Sequence, residues 1–192
     1  LFLPNTNLQT QGYLDRISEW TAKKQMKLNC KKSNYMIFNF SRNYQVTARL
    51  YMEGNLMDQV KQTRLLGVII SNDLTWQANT AYIVHRCYQR MVILRKLYGF
   101  SIPVVDLVHI YTMYIRSVAE QSSVVWSSDL TRGEEYDLER IQKVALRIIL
   151  ADDYTDYESA LKISKLQTLK SRRTQLRLRF ALKCTKTERT LD

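Results

Sequence analysis

The sequence predicts an α+β fold, with a small antiparallel sheet packed against a mainly helical bundle. Three observations carry this expectation. Runs rich in β-branched and aromatic residues crowd the stretch from 34 to 70. From Asn72 onward, apolar residues recur in stripes at helical spacing. No Pro-, Gly- or Ser-rich linker divides the chain, so a first unit over 1–72 and a second over 73–192 are expected to pack together.

Leu14, Ile17 and Trp20 fall at three-residue spacing, which predicts an amphipathic helix over 8–24. NYMIFNF (34–40), VTARLYM (46–52) and RLLGVII (64–70) predict strands. Gly54-Asn55 lies between the second run and LMDQV, and that pair signals a hairpin turn. Val84, Cys87, Tyr88, Met91 and Leu94 form the first helical stripe. Pro103 opens a second helix carrying Leu107, Val108, Tyr111, Tyr114, Ile115 and Val118. Leu138, Ile141, Val144, Ala145 and Ile148 form a third stripe, and Leu166, Leu169, Leu176 and Phe180 lie in a fourth segment. Gly99 and Gly133 mark the breaks.

A chain of 192 residues with 45% apolar content can bury a real core and is too apolar for disorder. Its longest apolar runs, such as LLGVII at 65–70, are too short to span a bilayer. The first residues lack a signal-peptide pattern, and an opening Leu in place of Met reads as a piece of something longer. Cys30, Cys87 and Cys184 make no CxxC, which disfavours zinc and redox motifs. Reduced thiols in an intracellular protein, nuclear or cytoplasmic, are the expectation. The five glycines are isolated and cradle no phosphate. Asp106 and His109, at i,i+3 on a helix, read as a surface pair.

Charge narrows the partner. Lys plus Arg number 29 against 18 acids, for a net +11. Such an excess favours a polyanion, because each neutralised phosphate releases counterions. Between Lys162 and Arg189 there is one acid, Glu188. On a helix Arg172, Arg173, Arg177 and Arg179 cannot all face a core, so a broad cationic surface is expected, extended by Lys170 and Lys183, binding phosphate in preference to the competing reading of a membrane-surface helix, with no membrane partner. Lys23, Lys24, Lys27, Lys31 and Lys32 form a second basic set beside Trp20 and Tyr35, a mixture that grips backbones and stacks on bases.

One short stretch, Ala151-Asp152-Asp153-Tyr154, resembles the paired aspartates with which polymerases hold metal ions. Its neighbours argue otherwise. LERIQKVALRIIL before it has helical period, and TDYESALKI after it is a helix start with Thr155 or Asp156 as cap. The expectation is a helix–helix loop.

Several segments together resemble one family. LDRISEWTAKKQMKLNCKKSNYMIF is similar to the region after the catalytic aspartates in reverse transcriptases of non-long-terminal-repeat retrotransposons. The matching positions are Trp20, Met26-Lys27-Leu28-Asn29, Lys32 and Ser33. TRLLGVIISNDLTW resembles the primer-grip turn, with Leu66-Gly67-Val68, Leu74 and Trp76. YIRSVAEQSSVVWSSDLT and LERIQKVALRIIL resemble the helical thumb, and LQTLKSRRTQLRLRFALKC carries the family's closing Leu-x-x-Arg-Arg. The resemblance runs from about Leu8 to Lys183. It implies that 1–72 is the end of the palm with its primer-grip strands, and 73–192 the thumb. It implies a fragment of an RNA-directed DNA polymerase that contacts a template–primer duplex, RNA–DNA hybrid included, without sequence preference. The catalytic aspartates, fingers and remaining palm would lie upstream, so this chain alone would be inactive. No cofactor is expected here, and Mg2+ in the complete polymerase.

The resemblance also assigns roles. Lys32 would neutralise or protonate the departing pyrophosphate, with Asn29 orienting its loop. Leu66 and Gly67 would approach the primer, and Lys23, Lys24, Lys27, Lys170, Arg172, Arg173, Arg177, Arg179 and Lys183 would hold nucleic acid. The alternative is a co-opted or decayed helical module that binds protein, or nucleic acid in general. An exposed apolar stripe in place of a cationic one would distinguish it.

Overall fold

The computed structural model describes residues 6–40 and 48–188. Val46 and Thr47 of the expected 46–52 strand, and Arg189 of the basic run, lie outside the described residues. The chain divides into two compact units, Leu1–Thr75 and Trp76–Asp192.

The first unit opens with helix α1 (Thr6–Lys23). Gln11 ties it to the backbone of Tyr51, donating to the carbonyl and accepting from the N–H, each at 2.9 Å. The buried side of α1 is Leu14, Ser18 and Thr21, whereas Ile17 and Trp20 are exposed. The expected helix is therefore present, but its inward face is rotated from the apolar stripe. Leu50, Met52 and Met57 form a small core against Leu14, Leu28, Cys30, Tyr35 and Ala48.

The expected single antiparallel sheet is replaced by three two-stranded ladders. β1 (Asn34–Tyr35) pairs with β4 (Asp58–Gln59) in parallel, and β2 (Tyr51–Met52) pairs antiparallel with β3 (Asn55–Leu56). β5 (Gln62–Leu65) pairs antiparallel with β6 (Val68–Ser71). Residues 36–40 form no strand despite their β-rich composition, since such propensity is realised only where a neighbour offers a ladder. The first hairpin turns on Glu53-Gly54, both at positive φ, and Asn55 pairs with Met52. The turn thus sits one residue earlier than Gly54-Asn55. Glycine takes the second left-handed position of a type I′ turn, and Asn55 is a strand residue.

The second unit is helical. α2 (Gln77–Tyr98) buries Cys87, Met91 and Leu94 of the stripe read in the sequence, together with Ile83, while Val84 and Tyr88 are half-buried. α3 (Val104–Ile110) runs through a π-helical turn at Tyr111–Arg116 into α4 (Ser117–Glu120) and buries Leu107, Tyr111 and Ile115. α5 (Ser123–Trp126) buries Trp126. α6 (Arg132–Leu150) begins with a capping box between Thr131 and Glu134, so Gly133 lies inside its first turn and not in a break. α7 (Tyr157–Ser164) and α8 (Leu169–Glu188) complete the unit. Leu138, Ile141, Ala145, Leu146 and Ile149 of α6 are buried completely or nearly so, the leucines and isoleucines each contributing roughly 1.5–3 kcal/mol of apolar transfer.

Ala151–Asp153 forms a 3-10 turn between α6 and α7. Asp152 and Asp153 are exposed. Asp156 caps α7, accepting from the N–H groups of Glu158 and Ser159 at 2.9 and 3.0 Å. These hydrogen bonds, first those from Ser159, hold its carboxyl below the usual aspartate range.

Candidate nucleic-acid interface

The lysine set of the first unit surrounds the end of α1. Lys23 is the last helical residue, and Gln25 takes a left-handed φ of 55° that turns the chain away. Lys23, Lys24, Lys27, Lys31 and Lys32 are all exposed. Asn29 organises the turn: its side chain accepts from the N–H of Lys32 at 3.2 Å and caps the 3-10 turn Cys30–Lys32. Ser33 Oγ donates to the Asn29 carbonyl at 3.0 Å. Lys27, Asn29 and Lys31 also line an open cleft of about 650 Å³, faced by Glu53, Asn55 and Asp58. The charges in that cleft are mixed, and Lys32 is not among its lining.

Leu66 and Gly67 form the tip of the β5–β6 hairpin, with φ of 49° and 90°. They are the two turn residues of a two-residue hairpin, since Leu65 pairs with Val68. Leu66 is 91% exposed. An L-residue in the left-handed region costs roughly 1–2 kcal/mol, and here the residue is a large apolar one with nothing of its own unit covering it.

The expected cationic surface on α8 is corrected at three of its four arginines. Arg173 is only 3% exposed, and one Nη has no hydrogen-bond partner. Burial lowers its basicity, opposed by the carboxylates of Glu139 and Glu135. Arg172 gives Nε and Nη2 to the two oxygens of Glu120, at 3.0 and 3.1 Å. Arg177 donates to the Ser127 carbonyl at 3.3 Å. Lys170 pairs with Glu135 at 2.8 Å. These bases serve the packing of α8 on α4, α5 and α6. They leave Arg179, Lys183 and Lys186 exposed on the outer half of the helix, beside exposed Leu178, Phe180 and Leu182. The long-range partners of these arginines, Glu120 and the Ser127 carbonyl among them, are invisible to a reading of α8 alone.

A polar network explains the docking of α8. Glu139 accepts from the N–H groups of Leu169 and Lys170 at 3.1 and 3.2 Å, capping the helix from α6. The Tyr157 hydroxyl donates to Glu139, and burial followed by this bond raises its pKa strongly. Gln142 is fully buried. It accepts from the Tyr111 hydroxyl at 2.9 Å and donates to the Tyr157 hydroxyl and the Gln167 carbonyl at 3.0 and 2.8 Å.

One basic set escaped the sequence reading. On α6, Lys143 Nζ lies 5.7 Å from the Tyr136 ring centroid and 5.2 Å from that of Tyr157. Arg147 lies 5.3 Å from the Tyr154 ring. The signal was available as a second periodicity, hidden behind the apolar stripe of the same helix.

Asp152 and Asp153 do not fit a catalytic metal centre. They stand exposed on a turn, and among the described residues no three His, Cys, Asp or Glu side chains gather to hold an ion. Cys30, Cys87 and Cys184 are unpaired, and burial pushes the Cys87 thiol up to about 12. Among the described residues no helix is long and apolar enough to cross a membrane.

Comparison with known proteins gives one finding of weight. The chain is 33% identical over 87 residues to a Drosophila melanogaster protein described as a probable RNA-directed DNA polymerase from transposon BS. The match covers 45% of this chain and 10% of that protein's length. No family model matches, and no solved structure matches. The chain therefore carries a reverse-transcriptase-related region.

Proposed function

We propose that the chain is the palm end and thumb of a non-long-terminal-repeat retrotransposon reverse transcriptase, holding a template–primer duplex and inactive alone. The observation that carries this reading is the Leu66-Gly67 hairpin. Its tip is the segment that resembles a primer grip, and it holds an exposed leucine in a disfavoured conformation. Strain of this kind is retained where a segment is shaped for a partner. The exposed lysines around α1 supply phosphate contacts. Lys32 stands on a turn fixed by Asn29, a suitable arrangement for a cation beside a leaving pyrophosphate. In the complete enzyme Mg2+ would serve strand synthesis, and the reading assigns its carboxylate ligands to palm segments outside these 192 residues.

Titration of a fluorescein-labelled RNA–DNA hybrid from about 50 to 200 mM salt tests the reading. Affinity should fall steeply with salt. The triple variant K23E/K24E/K27E should bind at least tenfold more weakly, with a salt slope shallower by about 3. Absent binding at low salt, or binding indifferent to salt, overturns the proposal. Metal-dependent primer extension by the chain alone overturns its inactivity.

A protein-binding module is the second reading. Tyr13, Ile17 and Trp20 are exposed at i, i+4, i+7 on α1, the uncovered apolar stripe that such a module would carry. Under this reading I17S/W20S abolishes partner binding, while hybrid binding in the wild type is absent.

A further inference from the structure

Charge on α6 is sorted by face. Glu135 and Glu139 point to α8, where one pairs with Lys170 and the other caps the helix. Arg132, Tyr136, Arg140, Lys143 and Arg147 follow at i, i+4, i+8, i+11 and i+15, a spacing that keeps them in one row within a narrow arc. Arg132, Arg140 and Arg147 are exposed, Lys143 is half-buried, and Tyr136 is 60% exposed. Among the described residues none of these four cations has an ion-pair partner, although Lys143 and Arg147 lean on tyrosine rings. The row runs about 22 Å along the helix axis. Glu139, four residues before Lys143 and turned to the start of α8, and Asp137 flank it, and Asp152 and Asp153 stand beyond its far end.

An ordinary solvated face mixes signs, because like charges three and four residues apart destabilise a helix. This row lines up four cations without an interposed acid and keeps an aromatic ring open among them. Phosphates account for the cations, and a base accounts for the ring. A duplex hides its bases in the stack, whereas an unpaired strand offers both groups at once.

We propose that this face of α6 is a track for single-stranded nucleic acid. Arg140, Lys143 and Arg147 contact successive phosphates, and Tyr136 stacks on a base. The proposal rests on the nucleic-acid reading above but concerns a different surface and an unpaired strand.

The full chain is titrated with a fluorescein-labelled 20-nucleotide polyuridylate and with a blunt 20-base-pair duplex, across salt. For R140Q/K143Q/R147Q, the slope of log affinity against log salt for the single strand should be shallower by about 2, at about 0.7 per phosphate. Y136A should weaken the single strand about tenfold and leave the duplex within twofold, while Y136F keeps wild-type affinity. Circular dichroism checks that each variant retains its helices. Wild-type slope and affinity in these variants overturn the inference. If hybrid binding is still lost in K23E/K24E/K27E, the broader reading stands without it. Competition by polyglutamate as effective as that by polyuridylate also overturns it, since an acidic polypeptide would then be the better occupant.

Discussion

The guanidinium of Arg172 is gripped by the carboxylate of Glu120, two hydrogen bonds of 3.0 and 3.1 Å spanning 52 residues of sequence. Both side chains are largely shielded, at 24% and 14% exposure. Arg116 approaches the same carboxylate at 3.5 Å. A bidentate pair so placed is stronger than a surface ion pair, and breaking it leaves the shielded Glu120 carboxylate to Arg116 alone, at 3.5 Å. Arg172→Met should lower unfolding stability by about 2 kcal/mol in urea titrations followed by circular dichroism. Arg172→Lys should recover only part, because it cannot make the fork. Arg179→Gln, on the exposed half of the same helix, should change stability by less than about 0.5 kcal/mol. Equal effects at both positions would show that the Glu120 pair contributes nothing. Charge reversal at Arg172, Arg173 and Arg177 therefore reports on stability before it reports on affinity.

Gln142 is the hub that joins the π-helical turn at Tyr111, α6, α7 and the segment leading into α8. Gln142→Leu keeps the volume but strands the Tyr111 hydroxyl in the interior and removes the donor to the Tyr157 hydroxyl and the Gln167 carbonyl. The unsatisfied buried hydroxyl and the lost hydrogen bonds should cost about 2 kcal/mol. Tyr157→Phe should cost less, about 1 kcal/mol, because Glu139 retains the backbone donors of Leu169 and Lys170. Urea denaturation of the two variants side by side gives the comparison. A neutral Gln142→Leu would show that the network does not determine how α8 docks.

The central helices were legible because they bury stripes that local periodicity exposes, as with Cys87, Met91 and Leu94, whereas α1 leaves Ile17 and Trp20 of its stripe exposed. Asp156 was legible too, since a cap is read from the few residues around it. The sheet was not. Asn34 and Tyr35 pair with Asp58 and Gln59, over twenty residues away, and no local pattern specifies that parallel register. The arginines of α8 failed for a related reason. Their spacing predicts exposure, but Glu120, Ser127 and Glu139 come from other helices and turn the side chains inward. On α6 the polar row was in plain view at the same period as the core stripe, yet only the apolar half of that period was read.

The cap of α7 gives a pH dependence of definite sign. The Asp156 carboxyl is held below its ordinary value of 3.8 by hydrogen bonds from Ser159, its backbone and side chain both contributing. The folded chain therefore binds this proton less readily than the unfolded chain does. The resulting stability is full above the ordinary aspartate range and is lost as pH falls through 3.8 and below. Asp156→Asn keeps a capping oxygen without the titration. Its stability deficit relative to wild type, measured by thermal unfolding, should shrink between pH 6 and about pH 3. A deficit constant across that interval would remove Asp156 from the acid response.

Leu66 allows stability and function to be separated. Its φ of 49° suits asparagine far better than leucine at this turn position. The side chain is almost wholly exposed, so its loss removes little burial. Leu66→Asn should therefore raise unfolding stability, by about 1 kcal/mol. Gly67→Ala, at a φ of 90°, should instead lower it by about 1–2 kcal/mol. If the tip exists to meet a primer, Leu66→Asn should weaken RNA–DNA hybrid binding while the fold becomes firmer. Urea denaturation and hybrid titration on the same preparation measure both quantities. A firmer variant with unchanged hybrid affinity would leave the strained leucine without a part in binding and would remove the observation on which the proposed function chiefly rests.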